Sequence, residues 1–242
     1  MAEIVFEVCA NSLQSAMNAE EGGAHRVELC ADLPAGGITP SAATIMKTIK
    51  TLRIPVFAMI RPRPGNFMYN DFEFEIMKED IAFTKRCGAK GVVFGLLTEK
   101  GKIDMLHCTK LVKQAYPMEC TFHMAFDRVA DMNSALEEVI KTGAHRILTS
   151  GLSDNAFEGK HTLKKLIEQA AGRIIIMAGK GLTPSNVADV IKQSGVNEVH
   201  ASCSAEIPDN FINHGNTKEN LFKNTITNLE TVKKFREAID KL

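Results

Sequence analysis

The segment GGAHRVELC, residues 22–30, decides the fold of this chain because it recurs in altered form three more times. The related segments are CGAKGVVFG at 87–95, TGAHRILTS at 142–150 and SGVNEVHAS at 194–202. Each contains a glycine of the kind that closes a helix, followed by a run with the composition of a strand. A repeated helix-to-strand junction of this kind predicts paired βα units arranged around a ring.

Eight apolar runs rich in Val, Ile and Phe are predicted to be strands, and the four repeated segments lead into every second one. The stretches between the runs have helical spacing; in residues 41–52, for example, Ile45, Ile49 and Leu52 share one stripe behind a Ser41 cap. Strands that alternate with helices pair in parallel through right-handed crossovers. The predicted strands are 4–10, 26–31, 55–61, 91–97, 119–127, 146–150, 173–178 and 198–203.

The predicted fold is therefore α/β, a (β/α)8 TIM barrel that forms a single domain over residues 1–242. An open, doubly wound sheet is the alternative, and it is less favoured because no G-x-G-x-x-G follows the first strand. Residues 204–227 show little periodicity and are predicted to be a long loop, in which His214 is expected to be solvated. Residues 229–242 are predicted to be the closing helix.

Composition excludes several classes of partner. Lys plus Arg and Asp plus Glu each total 29, so the formal net charge is zero and no field draws nucleic acid or a membrane surface. The sequence has neither an apolar run of membrane-spanning length nor a signal-peptide pattern. None of the 6 cysteines lies in a C-x-x-C pair. We therefore expect a cytoplasmic protein with reduced thiols, with no nucleic-acid or membrane partner.

Two similar segments near the N-terminus, FEVCAN at 6–11 and VELCAD at 27–32, each place a Glu and a Cys two positions apart. Because side chains alternate along a strand, both residues of each pair share one face. The opposite faces are apolar and suit contact with the outer helices, so the polar faces are predicted to point into the barrel. They gather towards the C-terminal strand ends, where barrel sites lie. The predicted pocket residues are Glu7, Glu28, Arg61, His123, Asp127 and His200.

A purely structural explanation exists for each of these residues taken alone. A buried Glu–Arg pair can serve only to fix strand register, and a lone cysteine in a strand is usually a small buried hydrophobe. The complete set is harder to explain in that way. Two Glu, one Arg and two His inside one barrel carry a heavy desolvation cost, which favours a ligand site over a scaffold.

Five segments of this sequence together resemble the CutC family, the copper homeostasis proteins. They are FEVCANSLQSAMNAEEGGAHRVELCADLPAGGITPS, IPVFAMIRPRPGNFMYNDFE, GAKGVVFGLLTEKGKID, TFHMAFD and RILTSG. The resemblance implies a (β/α)8 barrel, a cytoplasmic location and a role in copper handling. It also implies that Cys9 and Cys30 are the proposed copper ligands. Two positions depart from the family pattern: Met124, where Arg is usual, and Lys180, which interrupts a run of glycines. Met124 has helix-facing parity and is predicted to stay out of the pocket.

Two functions remain open from the sequence. Soft thiolates select Cu(I), so Cys9 and Cys30 on neighbouring strands form one candidate metal site near the barrel rim. The alternative is an enzyme acting on a small polar or phosphorylated metabolite, with the histidines as general acid or base and Arg61 as an anion clamp. In that case the segment AGKGLTPSN, with Gly179 and Gly181, is a candidate phosphate loop, although a plain helix cap formed by Thr183, Pro184 and Ser185 is sufficient to explain it. A homodimer is a further possibility.

Overall fold

The chain forms a closed barrel of eight parallel strands in sequential order, β1 to β8. A computed structural model describes residues 3–207 and 224–242. The closure confirms the predicted barrel and excludes the open sheet. The strands are β1 Val5–Ala10, β2 Arg26–Leu29, β3 Val56–Met59, β4 Gly91–Phe94, β5 Glu119–Phe122, β6 Arg146–Thr149, β7 Ile175–Gly179 and β8 Glu198–Ala201.

Eight α-helices in the described part of the chain surround the barrel. At the two repeats in residues 87–95 and 142–150, the helix before the strand ends at Gly88 (φ 90°) or Gly143 (φ 86°), in the left-handed region where glycine is favoured. The repeated glycines therefore act as predicted. The helices are α1 Leu13–Glu21, α2 Ala42–Thr51, α3 Asp71–Cys87, α4 Met105–Ala115, α5 Met132–Thr142, α6 Lys160–Ala170, α7 Val187–Ser194 and α8 Leu229–Asp240.

The main core lies between the barrel wall and the helices. The outward-facing side chains of the strands are buried there, as parity predicts, and Phe6 of β1 stacks on Phe235 of α8 with ring centroids 4.4 Å apart. This contact seats α8 as the closing helix of the barrel, as predicted. Among the described helices, none combines the length and the apolar character needed to cross a bilayer.

The base of the barrel interior is filled by an ion-pair layer. The fifth position of each repeated segment contributes one residue: Arg26, Gly91, Arg146 and Glu198. Glu198 accepts hydrogen bonds from Arg26 Nη2 at 2.5 Å and from Arg146 Nε at 2.9 Å. The Phe57 ring packs against both guanidinium groups, at 4.8 and 5.2 Å. Gly91 makes room for that ring, since a Cβ there would lie 2.4 Å from it.

The prediction of a loop over residues 204–227 is wrong at both of its ends. Ser204–Ile207 (β9) and Asn224–Thr227 (β10) form a two-stranded antiparallel hairpin. It is held to the barrel by Asn11, whose amide donates to the Thr225 carbonyl at 2.9 Å. Strands of four residues are too short to show a clear period, and their partners are distant in sequence. Residues 208–223, including His214, lie outside the described residues.

Candidate functional site

Glu7 lies fully buried directly above the ion-pair layer. It accepts a hydrogen bond from Arg26 Nε at 2.5 Å, and its other oxygen lies 2.7 Å from His200 Nδ1. Burial alone would raise the pKa of Glu7, but Arg26 and His200 outweigh it and hold that pKa well below its usual range. Glu7 is therefore a carboxylate that orients the His200 ring, and its own oxygens are not open to a ligand.

His200 and Glu28 occupy the same level, since each stands two residues beyond the ion-pair layer on its strand. Burial would lower the pKa of His200, but Glu28 and Glu7 raise it above its ordinary value. Burial raises the pKa of Glu28 in turn, and no described group makes a hydrogen bond to its Oε2 atom. The pair thus offers a titratable carboxyl group beside an imidazole that is already held by Glu7.

Cys9 and Cys30 meet beside Glu28. Cys9 is directly opposite Glu28 in the strand register, and its thiol lies 3.4 Å from Glu28 Oε1. The sulfur atoms of Cys9 and Cys30 are 3.1 Å apart. The predicted pairing of the two cysteines is therefore reproduced, but their place at the rim is not. Cys9 is 5% exposed, and Cys30 is fully buried beneath Gly37, where a Cβ would lie 3.3 Å from the Cys30 Cβ.

His123 follows the last residue of β5 and caps the short 3₁₀ helix Met124–Arg128. Its Nδ1 accepts the Ala125 backbone N–H at 3.2 Å, so the proton of the neutral ring is on Nε2. The ring packs where Gly95 has no side chain, since a Cβ there would lie 2.5 Å from Nδ1. Burial, reinforced by the Arg61 charge, lowers the pKa of His123 to about 3. His123 is thus a neutral hydrogen-bond donor at physiological pH.

Arg61 is buried at the mouth of the barrel, with 4% of its surface exposed. Its two terminal nitrogens donate to three backbone carbonyls, those of Ala35, Gly37 and Gly65, at 2.9–3.0 Å. The guanidinium stacks over the Phe67 ring at 5.1 Å, and Phe67 also contacts His123 at a centroid distance of 4.9 Å. The Nε atom of Arg61 has no partner in the described part of the chain.

Four of the six predicted pocket residues and one of the two predicted metal ligands line a single cavity of about 310 Å³. Glu7 lies beneath this cavity and Cys30 behind Cys9. Three of the lining residues each have one buried polar atom without a hydrogen-bond partner in the described structure: Glu28 Oε2, Arg61 Nε and His123 Nε2. These four pocket residues are Glu28, Arg61, His123 and His200, and the metal-ligand candidate is Cys9; Gly181 of the candidate phosphate loop also lines the cavity.

Asp127 is placed differently from the prediction. It lines a neighbouring cavity of about 820 Å³, and its carboxylate accepts hydrogen bonds from Thr149 Oγ1 and from the Ser150 backbone at 3.0 Å. The prediction extended β5 to Asp127, but the strand ends at Phe122 and the alternation of faces ends with it. For the same reason Met124, predicted to face a helix, lines both cavities instead.

The loop after β7 brings Lys180 to both cavities. Lys180 has φ 75°, an unusual conformation for a residue with a side chain, and Gly181 follows with φ 71°. Asn186 Oδ1 accepts the Thr183 N–H at 2.8 Å, a hydrogen bond within the loop, and the Asn186 side chain makes no capping hydrogen bond to the first turn of α7. Phosphate binding at Gly179 and Gly181 stays a prediction.

Sequence reasoning missed the ion-pair layer and Phe67. A signal for the layer was present, because Arg26, Arg146 and Glu198 stand at the same position of the repeated segments. The position of Phe67 depends on the path of the loop after β3, and no periodic pattern in the sequence encodes that path.

Comparisons with known proteins agree with one another. The family model described as the CutC family matches residues 4–205. The human copper homeostasis protein cutC homolog is 48% identical, covering 82% of this chain and 72% of its own length. A family protein CutC from Vibrio campbellii is 47% identical, covering 85% and 84%.

Solved structures give the same result. The putative copper homeostasis protein CutC from Streptococcus agalactiae superposes with a TM-score of 0.79 at 35% identity, covering 82% of this chain and 98% of that one. Phosphoribosyl anthranilate isomerase from Thermotoga maritima superposes at 0.60 with 14% identity over 99% of this chain and 100% of that one, a likeness of fold alone.

Proposed function

This chain belongs to the CutC family of copper homeostasis proteins, and from that premise we propose that it binds Cu(I) through Cys9 and Cys30, with Glu28 as a third donor. The observation that carries the proposal is the contact of two buried sulfur atoms at 3.1 Å, with Glu28 Oε1 3.4 Å from Cys9 Sγ. Soft sulfur ligands select Cu(I) over the harder divalent cations.

The donor set fits a metal ion with a small adjustment. Two thiolates that bind a tetrahedral metal at about 2.3 Å are separated by roughly 3.8 Å. The sulfur atoms of Cys9 and Cys30, now 3.1 Å apart, therefore have to move apart by about 0.7 Å. Cys9 lines the open cavity and has room to move, whereas Cys30 is fixed under Gly37. The unpartnered Glu28 Oε2 is a further free acceptor beside them.

A second group of possible ligands lies close by, and it suits Cu(I) less well. Glu7, Glu28 and His200 also bring one ligand atom each within 4.8 Å of one another. Both oxygens of Glu7 are engaged, one by Arg26 and one by His200, and the set contains no sulfur. A soft monovalent cation therefore prefers the cysteine pair.

Copper binding at this pair is coupled to proton release. The hydrogen bond that Cys9 shares with Cys30 and burial together raise the pKa of Cys9 well above its ordinary value, so Cys9 is a thiol before the metal arrives. A thiolate is the ligand, and its proton has to leave. The affinity for Cu(I) therefore rises with pH.

The test is an anaerobic Cu(I) titration against a competing chelator. Wild type is compared with Cys9→Ser/Cys30→Ser and with Cys87→Ser, a control at the end of α3 far from the barrel mouth. We expect one tight site in wild type and in the control, and its loss in the double variant. Equal, weak binding by all three proteins would reject the proposal.

A further inference from the structure

The three buried arginines of this barrel differ in whether they form an ion pair with a carboxylate. Arg26 and Arg146 each contact carboxylates, Arg26 with Glu7 and Glu198 and Arg146 with Glu198. Arg61 is equally buried, yet it forms no ion pair with any carboxylate in residues 3–207 or 224–242. A buried charge without a counter-ion is costly, so an anion is expected at this site.

The hydrogen bonds of Arg61 show where that anion fits. Its terminal nitrogens are fixed by the carbonyls of Ala35, Gly37 and Gly65, which position the group without neutralising its charge. The Nε–H is buried without a hydrogen-bond partner among the described residues, and Arg61 is one of the residues that line the cavity. An arginine that is held in this way is preorganised to donate to a ligand.

His123 supplies a second donor to the same cavity. Its Nδ1 is occupied by the Ala125 N–H, and its Nε2 is buried without a partner. The Phe67 ring packs against both His123 and the Arg61 guanidinium, which keeps the two donors on one side of the cavity. Lys180 adds a further positive charge at the exposed rim.

We propose that this cavity binds a small hydroxylated metabolite through a carboxylate or phosphate group that accepts hydrogen bonds from Arg61 Nε and His123 Nε2. The unpartnered Glu28 Oε2 accepts a hydroxyl of the same molecule. The cavity volume of about 310 Å³ is at the small end of the range for ligand pockets, so the molecule has few heavy atoms.

Calorimetric titration with two probes tests the site and separates the two anion types: glycolate for the hydroxylated carboxylate and glycerol 3-phosphate for the hydroxylated phosphate. We expect saturable binding of one probe by wild type. Arg61→Gln should weaken it roughly 10- to 100-fold, since a hydrogen bond to a charged group is lost. His123→Asn retains an acceptor for the Ala125 N–H and removes the Nε2 donor, so it should weaken binding roughly 3- to 10-fold.

The matched control is Arg53→Gln. Arg53 is exposed and precedes the start of β3, whereas Arg61 follows the end of that strand. The affinity of Arg53→Gln for the probe should therefore equal that of wild type. Should Arg61→Gln fail to fold, His123→Asn decides alone. Cys9→Ser/Cys30→Ser should retain anion binding while losing Cu(I), which separates this site from the copper proposal. No saturation of wild type by either probe below about 10 mM, or unchanged affinity in His123→Asn, would overturn the inference.

Discussion

Removing the buried imidazole of His123 should reduce the loss of folding stability that occurs as the pH falls below neutrality. The folded protein keeps His123 neutral down to a pKa of about 3, whereas the unfolded chain protonates it near the ordinary value of 6.5. Below that value the unfolded state binds more protons, so stability falls as the pH falls. The lowered pKa thus makes His123 a source of acid sensitivity.

The magnitude follows from the gap between the two pKa values. Each pH unit corresponds to about 1.4 kcal/mol, so the His123 contribution reaches roughly 2 to 3 kcal/mol at about pH 4.5. That is a large share of the 5 to 15 kcal/mol that is typical of a folded domain. Burial of the ring means that solvent screening does not reduce this figure.

His123→Asn is the suitable variant, since the asparagine oxygen can accept the Ala125 N–H and asparagine is a good helix cap. The assay is denaturant unfolding of wild type and variant at intervals between about pH 7 and about pH 4.5. The free-energy difference between the two proteins should change by about 1.4 kcal/mol per pH unit below about pH 6. Contributions from the carboxylates and from His200 are common to both proteins and cancel.

His161→Asn on α6 is the control, because His161 is exposed and its replacement should leave the wild-type profile unchanged. Parallel profiles for wild type and His123→Asn would refute the reasoning, and would mean that His123 is protonated in the folded protein at the same pH as in the unfolded chain.

Three further predictions concern the barrel base and the proposed copper site. Gly91→Ala should destabilise the fold by about 1 to 3 kcal/mol in denaturant unfolding, because the new Cβ meets the Phe57 ring; an unchanged midpoint would contradict this. Arg146→Met should cost about 3 kcal/mol, the low end for a broken buried pair, since Glu198 keeps Arg26; a neutral effect would show that the pair is dispensable. The apparent Cu(I) affinity should rise at least about tenfold per pH unit near neutrality, since the Cys9 proton alone accounts for a factor of ten, and a pH-independent titration would exclude Cys9 as a ligand.

The barrel could be predicted from the sequence because its strands and helices differ in hydrophobic period. The inward positions of Glu7, Cys9, Glu28 and His200 followed from the same alternation. This reasoning holds only while the chain stays extended. It failed beyond Phe122, where β5 gives way to a 3₁₀ turn.

Contacts made by loops could not be predicted in that way. The carbonyl partners of Arg61 come from three positions in two loops, and neither loop has a period that reveals its path. The hairpin at residues 204–207 and 224–227 was missed for a related reason, because each strand is stabilised by a partner that is distant in sequence.

Within residues 3–207 and 224–242, the salt-bridged base closes the barrel interior below the cavity, which leaves the approach from the C-terminal ends of the strands. Arg26, Glu198 and Arg146 close the interior from below, so an ion that reaches Cys9 enters and leaves by the same side. A small anion held by Arg61 and His123, as proposed above, would occupy that route. Copper would then have to bind before the anion and could leave only after it. The anion would therefore slow both the binding and the release of copper without contacting the sulfur atoms.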